Sequence, residues 1–195
     1  MELVVTLAMK FWQWTVLIAL IVIGFIINLF GVDNKKERIG FSYKQMPSMK
    51  PVKIPTAGKG FWGAILMWLM GVRKWEIAEN FHYKLNGVDY TIPKGFEFDG
   101  ASVPKFLATF LSPTGVLLMG GLVHDYAYKY AALKPKNSND PLLLLNQKEA
   151  DKLFRDICIE QNGFHFLNYL AYWGLRIGGF VAWNGHRKRN AKIED

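Results

Sequence analysis

His124, Asp125 and Tyr128 stand close together in the run Thr114-Gly-Val-Leu-Leu-Met-Gly-Gly-Leu-Val-His-Asp-Tyr-Ala-Tyr. On a helix of 3.6 residues per turn, positions i and i+4 share a face, so His124 and Tyr128 project together while Asp125 points about 100° away. Asp151 opens a later amphipathic stretch, Asn146 through Gln161, from which a carboxylate can reach His124 if the two helices pack. An imidazole whose tautomer is fixed by a carboxylate can take a proton from water. These residues therefore read as His124 the base, Asp151 its orienter with Tyr128 in support, and Asp125 the ligand of a charge-polarising cation. A hard ion such as Ca²⁺ needs further oxygens, from backbone carbonyls of a glycine-containing loop or from Asp99.

Other chemistries stay open on the same residues. Asp99, His124, Asp125 and Asp151 together are a hydrolytic transition-metal set, although one histidine is few for zinc. Ser102 lacks the G-x-S-x-G setting of an elbow nucleophile. A His-Asp pair on a buried helix also serves as a polar network that pins two helices, and Asp99 with Ser102 also serves to cap a turn.

The elements that must position these residues are partly legible. Asn86-Gly87 between Trp75–Leu85 and Val88–Ile92 is the signal of a type I′ hairpin, and Pro93 closes the second strand. The following loop, with Gly95, Gly100 and Pro104, exposes Asp99 and Ser102. Three helical stretches come next, at about 114–132, 146–161 and 164–183. The second begins with Asn146 as N-cap and Glu149 three residues on. The third is long, but His165, Asn168 and Arg176 interrupt it, so it reads as packed or interface-lying.

Composition adds an anchor. The chain has 195 residues, 51% hydrophobic and 21% charged, with a net charge of +8, room for one domain and an accessory segment. No charge interrupts residues 11–32, and 22 helical residues extend about 33 Å against a hydrocarbon core of about 30 Å. The expectation is an uncleaved single-pass membrane anchor over 1–32. Residues 33–59 hold seven basic and two acidic residues, a net +5. Under the positive-inside rule that places the carboxyl-terminal domain in the cytoplasm, and the same cations favour anionic lipid head groups. The organisation expected is an anchor (1–32), a basic linker (33–59), an interfacial apolar segment (60–74), an α+β domain with a hairpin and three helices (75–183) and a basic tail (184–195). No module for nucleic acid is present, and Cys158, the one cysteine, excludes an intrachain disulfide.

Two resemblances bear on function. The ordered motifs Ile92-Pro-Lys-Gly-Phe-Glu-Phe-Asp-Gly-Ala-Ser-Val-Pro104, Val123-His-Asp-Tyr-Ala-Tyr128 and Lys148-Glu-Ala-Asp-Lys-Leu-Phe154, with a Trp-containing terminal helix, resemble a phage-associated family of unknown function over roughly 75–183. That implies a phage or prophage origin. His124, Asp125, Tyr128 and Asp151 also resemble, position by position, the catalytic helix pair of phospholipase A2. The cysteines that cross-link that pair are missing here, as is a glycine-rich calcium loop directly before the first helix. The resemblance implies calcium-dependent lipid ester hydrolysis on or at the host membrane, with the protein held in a host inner membrane or virion membrane. The alternative is a non-enzymatic phage membrane protein, either a virion component or a factor that modifies the envelope or excludes a second infection.

Overall fold

The computed structural model describes residues 38–54, 56–70, 74–99, 115–137, 139–189 and 193, together with eight positions between Trp12 and Ile26. Alternation of side chains builds the first layer. In β4 (Phe81–Leu85) Phe81, Tyr83 and Leu85 are buried and His82 and Lys84 exposed, the pattern of a strand with one face on a core. It pairs antiparallel with β5 (Val88–Ile92) across Asn86-Gly87. Both turn residues have positive φ, 49° and 81°, as a type I′ turn requires.

The stretch expected as one strand before that turn is two. β3 (Trp75–Ile77) belongs to a second sheet, in the order β2-β3-β6 with β2 (Met49–Pro51) and β6 (Glu97–Phe98). The chain turns at 78–80, where the Asn80 side chain accepts from the Lys94 backbone N–H at 2.8 Å. The stretch read as a basic linker supplies strands to both sheets. β1 (Ser42–Tyr43) pairs with β4, β2 pairs with β3, and Phe41 is buried in the core. Lys44, Lys50, Lys53 and Lys59 face solvent while the backbone completes the ladders, so charge alone did not reveal its place.

Helices cover this β layer. α1 (Gly60–Met70) occupies most of the short apolar segment. α2 (Leu118–Tyr130) packs Leu118, Leu122, Val123 and Tyr126 into the same core as Phe81, Tyr83, Ile92 and Phe96. β7 (Ala132–Leu133) and β8 (Leu143–Leu144) form a small ladder, and Thr91 N–H donates to Lys134 O at 2.9 Å, tying the helix connection to the hairpin. α3 (Gln147–Asn162) starts on the expected capping box. Glu149 N–H donates to the Asn146 side chain at 3.0 Å, and Asn146 N–H donates to the Glu149 carboxylate at 2.8 Å. α4 (His165–Lys188) follows and lies against both α2 and α3.

The expected membrane anchor requires correction. Among the described residues no helix is long and apolar enough to cross a membrane, which takes about 20 consecutive predominantly apolar residues. α4 has the length, at 24 residues, but Asn168 and Arg176 interrupt it and its last turn is basic. Of residues 11–32 only eight helical, exposed positions are described; the rest of that run, and residues 100–114 with Ser102, lie outside the described residues. An α+β domain is what the structure shows, and a single-pass location in a host or virion membrane with a cytoplasmic domain is not supported by it.

Candidate active site

Three helices converge on one carboxylate. Asp151, fully buried at the start of the second turn of α3, places Oδ1 2.9 Å from His124 Nε2 and accepts from the Tyr128 hydroxyl at 2.5 Å. Its Oδ2 accepts from Arg176 Nη1 of α4 at 2.7 Å. Gln147 Nε2 donates to the Tyr128 hydroxyl at 3.3 Å, and Trp183 packs edge-on against the Tyr128 ring. Because an ionised carboxylate only accepts, Nε2 carries the ring hydrogen and Nδ1 is left to take a proton.

Nδ1 points toward Asp125, whose Oδ1 lies 3.5 Å away. The Asp125 side chain is 17% exposed against 4% for His124 and 0% for Asp151, while Arg176, on the far side of Asp151, is 28% exposed. The ring thus sits between two carboxylates. Burial lowers its proton affinity, but the hydrogen bonds and charges of Asp125 and Asp151 outweigh it and raise the His124 pKa above the ordinary imidazole value. Burial likewise pushes Asp151 up, and the hydrogen bonds from His124, Tyr128 and Arg176 win and hold it below the usual aspartate value. Tyr128 is raised by burial and by the neighbouring Asp151 charge, so its hydroxyl stays protonated and donates.

Two glycines permit this approach. A Cβ on Gly120 would stand 2.3 Å from Cys158 Sγ and 2.9 Å from Phe154 O of α3. A Cβ on Gly179 would stand 2.4 Å from the Tyr128 hydroxyl. Neither space is available, so glycine sets how closely α3 meets α2 and α4 meets Tyr128. At the other end of α2, Arg187 Nη2 donates to the carbonyls of Tyr128 and Lys129 at 2.8 and 2.6 Å, satisfying acceptors the helix end leaves open.

His124, Tyr128 and Asp151 are thus brought together as their spacing implied, and Asp125 is turned back toward the ring. Asp99 is exposed just after β6 and within electrostatic reach of His186 near the end of α4. Among the described residues no three His, Cys, Asp or Glu side chains form a metal-binding group. The Arg176 guanidinium also occupies the Asp151 edge. Cys158 is buried against α2, which pushes its thiol up to about 12 and makes it inert.

A family model described as protein of unknown function (DUF1353) matches residues 75–175, just over half the chain. The chain belongs to the DUF1353 family. No curated protein and no solved structure matches it. The DUF1353 region includes the hairpin, α2 with His124, α3 with Asp151 and the first half of α4. It ends one residue before Arg176, and it leaves out β1 and β2, although both strands pair inside it. Arg176 is the functional residue that sequence reasoning passed over. Its signal was present: it is the one Asp, Glu, Lys or Arg within the apolar run 164–183, and a charge so placed usually faces a partner.

Proposed function

We propose that this DUF1353 protein is an ester hydrolase built on a phospholipase-A2-like His-Asp helix pair, acting on lipid esters. The observation that carries the reading is the Asp151 carboxylate on His124 Nε2 at 2.9 Å, within the reach an orienting group needs, with the opposite ring nitrogen facing Asp125. In this reading Nδ1 accepts a proton as water oxygen attacks the ester carbonyl. The tetrahedral intermediate then breaks its bond to the alcohol oxygen, which takes the proton back from the imidazolium. The products are a carboxylic acid and an alcohol. Tyr128 and Arg176 act as positioning residues, since they touch Asp151 rather than substrate. The phage or prophage setting rests on the motif resemblance alone.

A base must be neutral to act. Because His124 is held above its ordinary pKa, activity rises with pH across a range shifted above about 6.5. Fatty-acid release from mixed phospholipid vesicles is the direct assay, with and without divalent ions, and His124→Ala is expected to lower the rate by about 10²-fold or more.

A second reading has its own observation. Asp151 is fully buried and every one of its close partners belongs to α2, α3 or α4, as in a polar clamp that fixes helix packing. Folded protein that releases no fatty acid under any ion, with His124→Ala only lowering the melting temperature, establishes the clamp and ends the hydrolase proposal.

A further inference from the structure

α4 has two faces of opposite character. Asn168, Arg176, Gly179 and Trp183 turn inward, to α3 and to the Tyr128–Asp151 cluster. Across the helix, Trp173, Ile177, Phe180 and Val181 are 57, 75, 53 and 66% exposed. Their spacing of i, i+4, i+7 and i+8 makes them one stripe. Lys188, also exposed, continues its line at the helix end. Single apolar residues on a surface are ordinary, but four contiguous ones including a tryptophan mark an interaction face.

Charge selects the occupant. The chain carries +8, and Lys188 and Arg189 are exposed at the end of α4. The one guanidinium at mid-helix, Arg176, is turned inward on Asp151, which leaves the stripe free of charge along its apolar length. A second copy would bring like charges together, whereas an anionic surface attracts them. We infer that the Trp173–Val181 face of α4 docks flat onto an anionic lipid surface, its apolar side chains among the acyl chains and its basic end among the head groups. Such a helix lies on a bilayer without crossing it, because its opposite face is already packed on the protein. The inference stands whether or not His124 performs chemistry.

The buried thiol of Cys158 makes the test clean, since a cysteine introduced on the surface is far more reactive. Full-length Ile177→Cys and, as a control on the hairpin tip, Val88→Cys are labelled with an environment-sensitive fluorophore and mixed with phosphatidylglycerol or phosphatidylcholine vesicles. Docking predicts a blue shift at position 177 with the anionic vesicles, reduced by salt, and none at 88. In an unlabelled chain, Phe180→Asp with Val181→Asp weakens vesicle binding by about tenfold or more. No shift at 177, equal shifts at both positions, or unchanged vesicle binding by the double variant each overturns the inference. So does a shift at 177 that needs no lipid and grows with protein concentration, which identifies a second copy as the occupant.

Discussion

The β hairpin and the three-helix cluster are built by different means. In the hairpin each residue's role follows from its neighbours in sequence: alternation sets which face is buried, and Asn86-Gly87 sets the reversal. In the cluster, His124, Asp151 and Arg176 come from three helices, 27 positions apart for the first two and 25 for the next. Their partnership depends on helices meeting at glycines. The hairpin buries the phenols of Tyr83 and Tyr90 but no charged group, whereas the cluster buries a carboxylate, an imidazole and a phenol together. Errors there carry the full penalty of unpaired polar groups.

That contrast is open to attack, most forcefully at its centre. Asp151→Ala strips His124, Tyr128 and Arg176 of their common acceptor at once, and about 3–5 kcal/mol of stability is expected to go with it. Urea denaturation measures this, and a loss below about 1 kcal/mol would show the cluster to be dispensable to the fold. Gly120→Ala is the next largest effect. Alanine is favoured over glycine in a helix by about 1 kcal/mol, but here its Cβ meets the Phe154 carbonyl and Cys158. A net loss of about 2 kcal/mol is expected from the overpacking. Thermal unfolding of Gly120→Ala beside Cys158→Ala/Gly120→Ala sharpens the point, since removing Sγ relieves only the sulfur contact and recovers only part of the loss. The smallest effect belongs to the hairpin. Gly87→Ala has open space around the new methyl, so its cost is the backbone conformation at φ 81° alone, about 1 kcal/mol. The same unfolding experiment with a cost equal to that of Gly120→Ala would erase the distinction between the two regions.

Legibility followed the same division. The hairpin, the Asn146 cap and the shared face of His124 and Tyr128 were readable because each depends on a few adjacent residues. Three of the four bounded helices matched the apolar periodicity. The split of Trp75–Leu85 into two strands was not readable, since the turn at 78–80 carries no glycine or proline. Nor was the strand role of residues 42–51, where a high density of lysine and proline resembles a solvated linker. Arg176 reads in sequence as a flaw in an apolar helix and in the fold as the third partner of Asp151. The expectation of a membrane-crossing helix came from counting apolar residues, and length and hydropathy alone cannot say whether a run becomes one continuous spanning element.

By itself, then, the sequence determined the turn at Asn86-Gly87, the start of α3 and the pairing of His124 with Tyr128 on one helical face. These are short-range consequences of backbone sterics, capping and helical periodicity. Only the tertiary structure decided that Asp151 is shared by His124, Tyr128 and Arg176, and that Asp125 turns back on the ring. Which helices touch, and how closely, depends on the fit of their surfaces at Gly120 and Gly179, and that fit is a property of elements distant in the chain.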